Sequence, residues 1–263
     1  DMQEKSSWYF RASRKLCLKS AMMTEDNIKV LEDYKDECGV EEILTDILGI
    51  GTVSHYDELK YPDIKEYFLQ YKDKIFNKSG VTRRNYYKYM DKFGIFRTKK
   101  YILCELTSQG TVQYALNQIF EKPLYGFYLC KRKGFVHFEV NTEACFKEIE
   151  ENVRDIIENN NFLESILTSP EPSVVDMDEN GEPIFANDNR DDEEVKSVMS
   201  VQDGIEEFFF EYIEKIFIEG QDINKKLPQF LLKMYKEVWL KGECLKLENR
   251  KLYDDLGTSY YIV

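Results

Sequence analysis

The residues best placed to do chemistry lie in one stretch, Glu105-Leu106-Thr107-Ser108-Gln109-Gly110-Thr111-Val112-Gln113. A short apolar run, Tyr101-Ile102-Leu103-Cys104, leads into it, and a helical pattern runs from Thr111 to Phe120. The stretch is therefore a strand-to-helix junction. Such a junction presents free backbone N–H groups, and the helix dipole favours an anion there. Gly110 lets the backbone approach a ligand, and the N–H groups of Gly110 and Thr111 are the candidate donors. The Ser108 and Thr111 hydroxyls, with Glu105, Thr107 and Gln113, complete a candidate polar set. Open α/β sheets bind ligands in the crevice at strand carboxyl ends. The same pattern also describes an ordinary helix cap with a glycine loop, and both readings stay open.

Positive charge that could meet an anion is scarce. Arg11, Arg14 and Lys15 follow the aromatic Trp8-Tyr9-Phe10, and Arg83-Arg84 form a second pair. Arginine grips phosphate bidentately, and Arg14 is the candidate for the binding set; the plain alternative is a solvated face with salt bridges. Gln202 interrupts an otherwise apolar stripe, Val195, Val198, Met199, Ile205, Phe209, Tyr212 and Ile216, and a buried amide must find partners there. Asp254-Asp255 could take Mg²⁺, although adjacent carboxylates usually belong to solvated turns. Only two histidines are present, His55 and His137, so a histidine-built metal site or a catalytic triad is hard to assemble. No metal site is expected, and no catalytic residue is assigned. Six cysteines, Cys17, Cys38, Cys104, Cys130, Cys145 and Cys244, include no C-x-x-C pair. They read as reduced thiols of a cytosolic protein, with Cys104 and Cys130 acting as small hydrophobes in buried strands.

The elements that must position these groups are readable from periodicity. Residues 1–100 read as a mainly helical region. Thr24-Glu25-Asp26 starts a helix and Gly39 stops it. A short helix covers 41–49. Pro62-Asp63 opens a third, with Ile64, Tyr67, Phe68, Tyr71 and Ile75 on one stripe. Thr82 is read as the cap of a fourth, which Gly94 ends. Residues 101–263 form an α/β region with C-terminal helices, packed with the first region as one unit of a larger protein. Tyr101–Leu106 and Leu124–Cys130 are strands flanking the 111–120 helix, which makes one βαβ unit. Phe135–Val140 alternates as a further strand. Asn141-Thr142-Glu143 is expected to cap a long helix to about residue 159. Asn180-Gly181 between two apolar runs is a hairpin signal. Further helices are expected up to Glu219 and from Pro228 to Trp239. The fold class is α/β, helix-rich, with a small, mostly parallel Rossmann-like sheet and helical additions.

Composition excludes several classes. Across 263 residues, 36 Lys+Arg against 49 Asp+Glu give a formal charge of −13. That surface repels phosphate backbones and anionic lipid, so nucleic acid is not an expected partner. No run of about 18 apolar residues offers a transmembrane segment. The first residues lack the basic and apolar regions of a signal peptide, so a cytoplasmic location is expected.

Several stretches taken together resemble one family. They are Tyr9-Phe10-Arg11-Ala12-Ser13-Arg14-Lys15, Arg84-Asn85-Tyr86-Tyr87-Lys88-Tyr89, Thr107 to Gln113, Leu163 to Ser173, Gln202-Asp203-Gly204-Ile205 and Asp254-Asp255-Leu256-Gly257. In that order they are similar to the region that follows the haloacid-dehalogenase-like (HAD-like) core of large bacterial polysaccharide-biosynthesis proteins, which commonly carry glycosyltransferase domains. The family's strand before the glycine loop usually ends in Asp, Gly and an aromatic, where this chain has Glu105-Leu106-Thr107. No D-x-D nucleophile tripeptide is expected in this chain, so the resemblance implies a domain lying downstream of the phosphatase core and not an autonomous enzyme. It implies a role in capsule or surface-polysaccharide synthesis, with a phosphate or sugar-nucleotide group bound at the junction. The partners it implies are the other domains of the parent protein and a sugar nucleotide or phosphorylated glycan. No cofactor is assigned to this chain, although Mg²⁺ could serve the parent protein. The competing reading is a non-catalytic interaction or scaffold domain with no small-molecule ligand.

Overall fold

The computed structural model describes residues 10–35, 38–97, 101–120, 123–132, 140–147, 164, 167–215, 251–253 and 259–261. It is a helix-rich α/β protein with a small parallel sheet. The chain divides into two compact units that do not follow a single cut. The first gathers Asp1–Tyr101, Thr111–Pro123 and Ser173–Ala186; the second gathers Ile102–Gly110, Leu124–Pro172 and Asn187–Val263.

In the first unit, α1 (Arg14–Ala21) is capped by Ser13, whose hydroxyl accepts the Leu16 N–H at 3.1 Å. Its residues Leu16 to Ala21 are buried without interruption, Lys19 and Ser20 included. A helix apolar or buried all round must be central. Accordingly α1 packs against α5 (Lys72–Lys92), α6 (Thr111–Asn117) and strand β4 (Val174–Met177). Between them, α2 (Glu25–Ile28) begins with a reciprocal capping box between Thr24 and Asn27 and tightens into a 3₁₀ turn over Lys29–Tyr34. Next come α3 (Val40–Glu42), which widens into a π turn at Ile43–Ile47, and α4 (Ile64–Leu69), capped by Asp63.

Two helix expectations need correction. The stripe from Ile64 to Ile75 belongs to two helices, because the chain breaks at Gln70–Tyr71 before α5 begins. The break lets the Tyr71 hydroxyl reach back to Ser54, taking its N–H at 2.8 Å. Thr82 is not a cap but lies in the middle of α5, where its buried hydroxyl donates to Asp176 at 3.1 Å. A tertiary partner replaced the local one that the sequence suggested.

Tyrosines fill much of this core. Tyr67 is ringed by Tyr56, Tyr61 and Tyr71 at 5.3, 5.5 and 5.5 Å, in edge-to-face contacts. Tyr86 stacks between Phe10 and Tyr89 at 6.2 and 5.9 Å. The hairpin of β4 and β5 (Pro183–Phe185) completes the unit, with its antiparallel register bulged between Val174 and Asp176. Its turn uses Gly181 at φ +77°, and a Cβ there would stand 2.6 Å from the Tyr89 backbone nitrogen. Only glycine serves both the conformation and the approach.

In the second unit, three parallel strands follow the order β1 (Ile102–Ser108), β2 (Tyr125–Lys131), β3 (Thr142–Lys147). The third strand corrects an expectation. Asn141-Thr142-Glu143 does not start a helix, because the Asn141 carbonyl is spent on the Gly126 N–H at 2.9 Å and Thr142–Lys147 joins the sheet. Pairing with β2 overrides the local capping signal. A second correction concerns Cys104, which is exposed, whereas Cys130 is buried. Ile102, Tyr125 and Phe127 are exposed on the same face as Cys104, so β1 is covered on only one side. The unit continues with α7 (Asp192–Lys215) and a small antiparallel pair, β6 (Lys251–Tyr253) with β7 (Ser259–Tyr261). The expected strand at 135–140 apart from Val140, the helix at 148–159 and the helix from Pro228 lie outside the described residues, as do His137 and Asp254-Asp255. Among the described residues, no helix is long and apolar enough to cross a membrane.

Candidate functional site

The expected binding set is distributed over both units. Glu105, Thr107, Ser108 and Gly110 belong to the second unit, whereas Arg14, Thr111 and Gln113 belong to the first. Arg14 is the first residue of α1. Thr111 and Gln113 are buried on α6, Gln113 completely. A helix of seven residues that turns its amide into a core is poorly suited to ligand capture.

Within the second unit the junction is built tightly. Glu105 is opposite Tyr128 in the β1–β2 register, and Thr107 is opposite Cys130. Burial holds the Tyr128 phenol well above its ordinary pKa, the Glu105 charge adds to this, and a hydrogen bond with Ser108 opposes it. Gly110 has φ +96°, and a Cβ there would meet Val140 Cγ2 at 2.9 Å. Its N–H donates to the Ser108 hydroxyl at 2.9 Å. The glycine thus makes room for Val140 and closes a Ser turn, and its N–H is already satisfied.

What sequence reasoning missed is the basic rim at the carboxyl ends of the strands. Ser108 is in register with Lys131, and Lys131 with Lys147. The exposed Arg132 donates its backbone N–H to the Ser108 carbonyl at 3.0 Å. The Lys131 ammonium donates to the Thr142 hydroxyl at 2.6 Å. The available signal was Lys131-Arg132-Lys133, the longest uninterrupted basic run in an acidic chain. Directly after an apolar strand, such a run belongs at the end where parallel sheets bind ligands.

A second polar cluster, in the first unit, was equally unforeseen. Asp176 was expected to be part of no D-x-D tripeptide, yet Asp176-Met177-Asp178 is one, and it follows Val174-Val175. The expectation that the chain holds no such tripeptide is corrected. Its surroundings decide what it can do. One Asp176 oxygen, Oδ2, takes the ammonium groups of Lys19 and Lys78 at 3.2 and 2.9 Å. The other, Oδ1, takes the Thr82 hydroxyl at 3.1 Å and the Met177 N–H at 2.9 Å. Four donors use the roughly four lone-pair sites a carboxylate offers, which leaves none aimed at a substrate. Asp178 Oδ1 is spent on the turn, accepting the N–H groups of Asn180 and Glu182 at 2.8 Å each. The tripeptide holds a hairpin rather than a nucleophile.

Burial is the largest influence on Asp176 and raises its pKa, but Lys78, Lys19 and the Met177 N–H together bring it below its ordinary value. Burial lowers the pKa of Lys19, against the pull of Asp176.

The other candidates have structural partners. Arg83 donates to the Gln118 carbonyl and lies 5.7 Å from the Tyr87 ring. Arg11 stands over the Phe185 ring at 5.6 Å. Gln202 donates to the Thr168 carbonyl at 2.8 Å, so its amide serves backbone. Among the described residues, no group of three or more His, Cys, Asp or Glu is arranged to hold a metal ion. No known protein family matches the chain, and no curated protein matches it.

Proposed function

We propose that the chain is an accessory α/β domain of a glycan-assembly protein, and that it binds the phosphate of a sugar nucleotide or phosphorylated glycan at the carboxyl ends of its parallel strands. The observation that carries this reading is the convergence of Ser108, Lys131 and Arg132 at one end of a parallel sheet, where α/β folds place their ligands. The order of motifs described above supports the glycan context. Arg132, which is exposed, supplies the bidentate grip. Glu105 and Gly110 shape the strand end without touching the phosphate. Asp176 is held by four donors in the first unit, and the reading is therefore of a domain that binds and positions.

Titration with UDP-, GDP- and CDP-sugars tests this. Saturable binding that weakens about ten-fold in Arg132→Ala is expected, the loss of one charge-assisted contact. Absence of binding at millimolar ligand would remove the reading. A second reading, a scaffold domain, is favoured by α7, where the consecutive Phe208, Phe209 and Phe210 are all more than half exposed. Exposed apolar surface of that kind marks interaction sites. Association with a transferase domain of the parent protein, without any nucleotide binding, would select it.

A further inference from the structure

The ion cluster of the first unit carries more positive charge than its carboxylate can balance. Lys19 and Lys78 share the single oxygen Oδ2 of Asp176. Two ammonium groups thus answer one carboxylate in a chain whose overall charge is −13. The donors are not exhausted either. An ammonium has three; Lys19 spends two, on Asp176 and on the Val175 carbonyl at 2.9 Å. Lys78 spends one and keeps about a third of its side chain in solvent.

Gly49 and Gly51 have φ +66° and +80°, and both are exposed. A Cβ on Gly49 would touch Lys78 Cε at 3.4 Å and lie 3.9 Å from Lys19 Nζ, so Gly49 faces the two lysines. A Cβ on Gly51 would meet nothing within 4 Å, so the loop opens on free space there. Glycine loops beside lysine ammonium groups are a recurrent way to hold phosphate oxygens, because backbone can approach where side chains cannot.

We propose that Lys19 and Lys78 with the Gly49–Gly51 loop form a binding site for a small oxyanion of the phosphate class, distinct from the strand-end rim of the second unit. Lys78 makes the direct contact, being the one ammonium that reaches both solvent and the cluster. Lys19 supplies buried charge that the anion neutralises. Asp176 fixes both lysines and is not displaced, since its oxygens are held from four directions. The excess charge that burial makes costly is what the anion relieves.

Inorganic phosphate is the probe. It is titrated at constant ionic strength into the whole chain, with the backbone amides of Gly49 and Gly51 followed by NMR. Those two amides are expected to move saturably, and chloride at equal ionic strength is expected to leave them in place. Lys78→Met should weaken the apparent affinity about ten-fold, as for the loss of one charge-assisted contact. Lys78→Arg should retain binding, and Arg132→Ala should leave these two amides unaffected. Unmoved glycine amides, equal movement with chloride, or unchanged affinity in Lys78→Met would each overturn the site. Because Arg132 and Lys78 are read separately, failure here leaves the strand-end proposal standing, and the reverse also holds.

Discussion

Replacing Asp176 by Asn should destabilise the first unit more than any exposed carboxylate substitution. The change keeps the size of the side chain and its acceptor for Thr82, but removes the charge between Lys19 and Lys78. Lys19, with 7 % of its side chain exposed, then keeps its charge with only the Val175 carbonyl as a close acceptor. Breaking a buried pair by removing one partner costs about 3–5 kcal/mol. Asp176 retains 15 % exposure and Lys78 36 %, so solvent screens part of the loss, and the lower end, about 3 kcal/mol, is expected. Urea unfolding followed by circular dichroism measures it through the midpoint and slope. The acid limb gives a second reading. Asp176 has a depressed folded-state pKa, so its contribution is present above its ordinary value of 3.8 and is lost as pH falls through the folded value. The variant should therefore lose less stability than the parent between neutral pH and the acid limb. Lys19, whose folded pKa is also lowered, works through the alkaline side: its buried charge costs stability until pH rises through the folded value towards 10.5. Converting Lys19 to Met in the Asp176→Asn background should restore much of the loss, since the stranded charge is gone. A loss under about 1 kcal/mol with an unchanged slope would refute the account of the cluster as a buried, mutually dependent set.

Two further outcomes are expected. Gly181→Ala should cost at least about 2 kcal/mol in urea unfolding, because its Cβ would stand 2.6 Å from Tyr89 backbone at positive φ, whereas Gly51→Ala, at φ +80° but with open space, should cost only about 1 kcal/mol; equal costs would show that the hairpin does not press on α5. In an alkaline titration of phenolate absorbance, Tyr71 should ionise before Tyr67. Burial raises its pKa, but the Ser54 hydrogen bonds, Tyr67 and Lys74 bring it below 10.0, while burial drives the neighbouring Tyr67 well above. The absorbance appearing below 10.0 should shrink in Tyr71→Phe, and an unchanged amplitude there would mean that the Ser54 contact does not form.

The legible part of this fold is the local part. Thr24, Asp63 and Asn180-Gly181 announced their caps and turn, because those signals are satisfied within a few residues. The strands at 102–108 and 125–131 were legible as apolar runs. What misled was a residue whose partner is distant. Thr82 carries a cap's hydroxyl but gives it to Asp176, and Asn141 carries a capping signature but gives its carbonyl to Gly126. The junction at Glu105–Gln113 was located correctly as strand, glycine turn and helix, yet Gln113 turned inward and the Gly110 N–H closed on Ser108. The lysines around Asp176 could not have been assembled from spacing, since 157 positions separate Lys19 from its carboxylate.

That separation governs how the protein can be made. The first unit is not finished when its first hundred residues have been synthesised, for Lys19 has no carboxylate until the hairpin at 173–186 emerges. At about 5–20 residues per second, the growing chain holds a helix with an unanswered lysine for roughly 10–30 s. A chain stopped at residue 100 should remain open there and be a target for proteases and chaperones. The hairpin acts as a late latch, so the first unit closes only when its most C-terminal segment arrives.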